Sequence, residues 1–201
     1  MKKAFVFLAL IVICLSSCQQ AKFTVKNIPL NDDERRIADL TSDMVEKFIF
    51  EKDKIYDINL YIYKNNSLEL GASILGIYTK DEDTTVFISG RKGGDFGFVW
   101  NVSYAAGKYQ LSDIEIYEDI THMMVTTSGV GQEKFVMEED KEYALGFVAY
   151  REGNEIPISA VEPFHIWDEI EDKADALSEF KYAQFITVKF SDETGENVII
   201  K

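Results

Sequence analysis

Apolar residues run unbroken from Ala4 to Leu15, shorter than the roughly 20 residues a membrane-spanning helix needs. A mixed stretch follows. Then Ile37, Leu40, Met44, Val45, Phe48 and Ile49 recur at three- and four-residue spacing, which predicts one face of a helix. Asn31 stands where its side chain can accept the free amides of a first turn. Glu34, three residues later, fits the reciprocal position of a capping box. Asp32, Asp33 and Glu34 also suit the positive end of the helix dipole. The helix is expected to end near Glu51 to Lys54.

From Ile55 onward the pattern is strand-like. Ile55–Tyr63 stops at the turn signal Lys64-Asn65-Asn66-Ser67, and Leu68–Thr79 follows, interrupted by Gly71 and Gly76. Thr84–Ser89 leads into Gly90-Arg91-Lys92-Gly93-Gly94. Phe96, Phe98, Trp100, Val102 and Tyr104 then alternate strictly with smaller or polar neighbours, the clearest period-two stretch of the chain. Tyr109–Tyr117, His122–Thr127, Phe135–Met137, Tyr143–Tyr150 and Ile156–Val161 read as further strands. Pro163 breaks the series. Asp168 and Glu171 start a second helix, with Ile170, Ala174, Leu177 and Phe180 or the stem of Lys181 facing inward. Phe185–Phe190 and Val198–Ile200 predict a closing hairpin around Asp192–Gly195. Short strands joined by tight turns favour a mostly β (α+β) protein. The expected core is an antiparallel sandwich with an N-terminal helix and a C-terminal helix-hairpin; the alternative is a lipocalin-like meander barrel. One β-rich domain is expected over 31–201, any subdivision falling near 120–130.

Composition changes this picture mainly at its N-terminus. Lys2 and Lys3 precede the apolar run, and Leu15-Ser16-Ser17-Cys18 closes it. That arrangement resembles the signal peptide and lipobox of bacterial lipoproteins. The resemblance implies cleavage after Ser17, a diacylglycerol on Cys18, and a tether over 18–30. It also implies a bacterial cell-envelope location, anchored in a membrane by that lipid. Gln19 stands where an aspartate would signal inner-membrane retention, so the same resemblance points to the outer membrane of a Gram-negative cell. The lack of acids in Gln19-Gln20-Ala21-Lys22-Phe23 favours its periplasmic face. The chain's two cysteines, Cys14 and Cys18, would both be spent before the domain begins. A mature chain without a thiol excludes a cysteine nucleophile, a thiolate metal site and a disulfide framework.

Cleavage would leave 184 residues, enough for a substantial core. It would also take the formal charge from −14 to −16, because Lys2 and Lys3 leave and no acid does. Such a field repels nucleic acid and favours solubility or basic partners. A second resemblance covers Asp140 to Asn154 only. There a tyrosine, apolar residues at alternate positions and an alanine precede Gly153-Asn154, as in the late hairpin of fibronectin type III-like domains; this tilts the expectation towards a sandwich.

No stretch spells out a catalytic or metal site. His122 and His165 lack the spacing of a zinc pair, and His165 sits among Phe164, Ile166 and Trp167 as a packing residue. No Gly-x-Ser-x-Gly elbow is present. Gly90–Gly94 reads as a hairpin loop before it reads as an anion cradle. The acidic groups at 32–34, 81–83, 138–142 and 168–172 lack calcium-loop spacing and read as helix starts and solvated turns. The Phe96–Tyr104 stripe reads first as the core face of a strand. Its functional alternative is a ligand-facing surface with Trp100 and Tyr104 as platforms, joined by Tyr61 and Tyr63. The expectation is a non-enzymatic binding or interaction module with no cofactor, whose partners are the membrane, an envelope protein or a glycan. The alternatives are a carrier of an apolar ligand, a glycan hydrolase using two carboxylates, or an inhibitor or immunity protein.

Overall fold

The computed structural model describes residues 22–79, 81–93, 98–112, 124–129, 134–139, 141–151, 177–178 and 180–191. They form, in chain order, β1 (Lys22–Asn27), α1 (Asp32–Thr41), β2 (Met44–Phe50), β3 (Lys54–Lys64), β4 (Ser67–Thr79), β5 (Thr84–Lys92), β6 (Phe98–Tyr104), β7 (Gly107–Ser112), β8 (Met124–Gly129), β9 (Lys134–Glu138), β10 (Glu142–Arg151) and β11 (Tyr182–Ser191). The described strands make two antiparallel sheets, ordered β7-β6-β5-β2-β1-β9 and β4-β3-β11-β10-β8. Neither closes into a barrel, which corrects the lipocalin-like alternative. The second helix proposed at Asp168, the Ile156–Val161 strand, Val198–Ile200, Cys18, His122 and His165 lie outside the described residues.

The sheets face each other across one core. The six-stranded sheet contributes Phe48, Phe50, Val86, Ile88, Phe98, Trp100 and Val102; the five-stranded sheet contributes Tyr56, Ile58, Leu60, Ile186, Val188 and Phe190. In each group the residues recur at every second position, as the pleat requires. Each such side chain taken from water stabilises the fold by about 1.5–3 kcal/mol. A smaller core covers the outer face of the five-stranded sheet, where Leu177 and Phe180 join Tyr63, Phe147, Ala149, Ala183 and Phe185. β10 and β11 are therefore covered on both faces. That is why Tyr143–Tyr150 lacks polar alternation.

Two sequence expectations are corrected at the N-terminal end. Residues 22–27, expected to be tether, form β1 and pair with both β2 and β9. The helix expected to reach Glu51–Lys54 stops at Thr41, and Met44–Phe50 is a strand paired with β5. The capping box forms as expected: Asn31 Oδ1 accepts from Glu34 N and Asn31 N donates to Glu34 Oε2, each at 2.9 Å. Ser42 is extended, with φ −150° and ψ 150°, and ends the helix. Phe48 and Phe50 can both enter the core only with a two-residue period, so pairing with β5 overrides the helical spacing.

Local chemistry fixes several details. Asn65 and Asn66, at φ 51° and 60°, turn β3 into β4 as the Asn-Asn signal predicts. β4 carries one extra residue at Gly71 and another at Leu75-Gly76, and Asp57 Oδ1 accepts from the amide of Gly76 at 2.8 Å. These bulges interrupt the regular ladder of the sheet's edge strand. Gly90, expected in a loop, is a buried strand position. A Cβ there would lie 2.2 Å from Phe98 Cε1, so only glycine lets that ring lie against the strand.

Candidate functional site

The four aromatics singled out in sequence do not share one surface. Trp100 has no exposed area, which corrects its role as an open platform. Its indole Nε1 donates across the core to Gln184 Oε1 at 2.9 Å, and Gln184 Nε2 donates to Tyr182 OH at 2.5 Å. Tyr104 is half-buried at the rim of the same core. It stacks on Tyr109 with centroids 5.8 Å apart, and its hydroxyl lies 3.4 Å from that of Tyr109. Burial first, then the Tyr109 hydroxyl, push the Tyr104 pKa up to about 12. Tyr61 and Tyr63 belong to the outer face of the five-stranded sheet. Tyr63 is buried there, with its hydroxyl directed at Asn66 Oδ1 at 3.3 Å.

Tyr61 enters a polar network that sequence reasoning missed. Glu142 is 8% exposed, although it stands in an acidic run expected to be a solvated turn. Its carboxylate accepts from Asn59 Nδ2 at 2.8 Å, from Tyr61 OH at 2.9 Å and from Thr187 Oγ1. Ser73 Oγ donates to Asn59 Oδ1 at 2.7 Å and extends the network to β4. Three neutral donors converging on one carboxylate offset much of its desolvation and tie β3, β4, β10 and β11 together. No local signal could have found it, because Tyr61 and Glu142 stand 81 residues apart.

An open concavity among the described residues lies on the opposite side, between α1 and the outer face of the six-stranded sheet. It is a groove of about 330 Å³. Glu34, Ile37 and Thr41 face it from the helix; Val45, Phe87 and Ser89 form its floor; Lys108 stands at the far wall. Strand register produces this floor. Val45 lies beside Ser89, and Lys47, Phe87, Ser103 and Lys108 form one row from β2 to β7.

The electrostatics of the two walls differ. Glu34 Oε1 receives Lys47 Nζ at 2.7 Å. That bond first, and the Asn31 amide second, hold its pKa below the usual carboxylate value. Lys47 also sits 5.5 Å from the Phe87 ring centroid. The acid is thus matched to a cation beneath it. Lys108 is exposed and makes no ion pair among the described residues.

The helix wall carries two large apolar side chains on its open side. Only Ala38 of α1 is buried, and its small side chain lets the helix approach the sheet. Ile37 is 64% exposed and Leu40 is 87% exposed, the highest value for a large apolar side chain among the described residues. This corrects the expected inward face: once the chain turns to strand at Met44, the stripe shrinks to these two residues. Gly90-Arg91-Lys92 offers no free amide cradle at Lys92, whose N–H donates to Asp43 Oδ2 at 2.7 Å. Among the described residues, no three His, Cys, Asp or Glu side chains come together to hold a metal ion, and no helix is long and apolar enough to cross a membrane. The chain matches no protein-family model, no curated protein and no solved structure.

Proposed function

We propose that the chain is a lipid-anchored envelope lipoprotein working as a non-enzymatic binding module, with α1 and the groove beneath it as its recognition face. The observation that carries this reading is the exposure of Ile37 and Leu40 on a capped helix that stands over an open groove. Apolar side chains displayed on a fixed element, beside charged neighbours such as Arg36 and Asp39, have the composition of a contact surface. The lipobox-like Leu15–Cys18 supplies the anchor.

The test has two parts. Cells fed labelled palmitate are expected to label the protein, and Cys18→Ala is expected to remove the label. Complexes captured from detergent-solubilised envelopes are expected to disappear for the Ile37→Asp, Leu40→Asp variant. Label that survives Cys18→Ala would overturn the anchor; identical captures for both proteins would overturn the recognition face.

A further inference from the structure

We infer that the groove between α1 and the six-stranded sheet binds a small amphiphile carrying one anionic group, a medium-chain carboxylate being the simplest example. This inference rests on the proposed recognition face and names what it recognises. A volume of about 330 Å³ lies at the lower end of small-molecule sites. Leu30, Ile37, Val45 and Phe87 offer apolar contact to a chain laid along the floor.

Charge then selects the head group. The acid on the helix wall is already matched, because Glu34 holds Lys47 at 2.7 Å. Lys108 lines the same groove with no ion pair among the described residues. An apolar body against Phe87 therefore brings a terminal anion towards the one cation of the lining that is not already matched. The molecule's overall field would select the opposite ligand: a chain of net charge −14 attracts cations and repels anions. A preference for the anion would run against that overall field and point to local pairing at Lys108, so the two effects are separable by experiment.

Calorimetric titration of the protein with decanoate and decyltrimethylammonium below their micelle concentrations, and with decanol below its solubility limit, tests this. Decanoate is expected to bind at least tenfold more tightly than decanol, and the cation more weakly than either. Lys108→Gln is expected to bring decanoate down to the decanol level and leave decanol unchanged. Ser89→Phe, which fills the floor, is expected to remove binding of both, with circular dichroism showing the fold retained; Ser89→Leu serves if that variant does not fold. Equal binding of decanoate and decanol, a preference for the cation, or an unchanged decanoate affinity in Lys108→Gln or in the folded groove-filling variant would overturn the inference. If decanoate fails while the Ile37→Asp, Leu40→Asp variant still loses its envelope complexes, the ligand class falls and the recognition face stands. If both fail, the recognition face falls as well.

Discussion

Replacing Gln184 by leucine tests whether the two sheets are joined by a specific polar contact as well as by apolar packing. Gln184 is fully buried and accepts the Trp100 indole N–H at 2.9 Å while donating to Tyr182 OH at 2.5 Å. Leucine nearly conserves volume and removes both bonds. Trp100, with no exposed surface, cannot turn to water for a new acceptor. A buried donor left unmade costs about 1–3 kcal/mol, so Gln184→Leu should lose about 2 kcal/mol. Trp100→Phe leaves the Gln184 carbonyl unmet and adds a small cavity, with a loss of similar or greater size. In the double variant neither polar partner remains, and its cost should fall short of the summed single costs by about 1–2 kcal/mol. Urea denaturation followed by circular dichroism measures all four corners of the cycle. In a thermal scan, about 2 kcal/mol corresponds to a fall of roughly 4–8 °C for a domain of this size. Single effects that add to within about 0.5 kcal/mol would refute the coupling. A Gln184→Leu protein as stable as the parent would refute the argument that this bond holds the core.

Three further outcomes follow from the same core. Gly90→Ala drives a methyl into Phe98, 2.2 Å from Cε1, and should cost about 1–3 kcal/mol by overpacking, read as a lower urea midpoint; an unchanged midpoint would mean the ring moves freely. Tyr150 OH is buried without a hydrogen-bond partner among the described residues, so Tyr150→Phe should be neutral or stabilising by up to about 1 kcal/mol, and a loss beyond about 1 kcal/mol would show that the hydroxyl is satisfied. Burial raises the Glu46 pKa, against a smaller opposing effect of its hydrogen bond from Asn27 Nδ2 at 2.8 Å. The folded state then binds the Glu46 proton more tightly than the unfolded state does, so ionised Glu46 destabilises at neutral pH, and this loss is relieved as pH falls through the folded pKa. Glu46→Gln should therefore stabilise at pH 7 and lose that advantage in acid; an advantage independent of pH would refute the assignment to charge.

Sequence reasoning reached the elements whose pattern is local. The Asn65-Asn66 turn, the Asn31–Glu34 cap and the alternation at Phe98, Trp100 and Val102 each rest on neighbouring residues, and each stands as expected. It failed where tertiary pairing decides between two periods. Met44, Val45, Phe48 and Ile49 satisfy helical spacing, yet Ser42 and the β5 partner make them strand. The sites were less legible than the fold. Trp100 carries the composition of a binding platform as well as of a core residue, and its full burial decides for the core face that its alternation suggested first. The groove depends on Lys108 of β7 lying in one row with Lys47 of β2, a register no local motif encodes.

The early start of β1 has a mechanical consequence. If Cys18 carries lipid, four residue steps separate it from Lys22, the first residue of the sheet, a reach of at most about 14 Å at 3.3–3.6 Å per step. The domain would ride on a short leash. Lys22 lies beside Glu138, and the exposed Asp81-Glu82-Asp83 leads into Thr84 at the same end of the sheet, beside Phe50. Glu138 is matched by Lys141 at 2.8 Å, so it is the exposed Asp81–Asp83 run that would be repelled by anionic headgroups, over roughly 8–10 Å at physiological salt. Leash and repulsion together would keep the domain standing off the bilayer within a narrow band of heights. Ionic strength would set that height, and with it what α1 can reach.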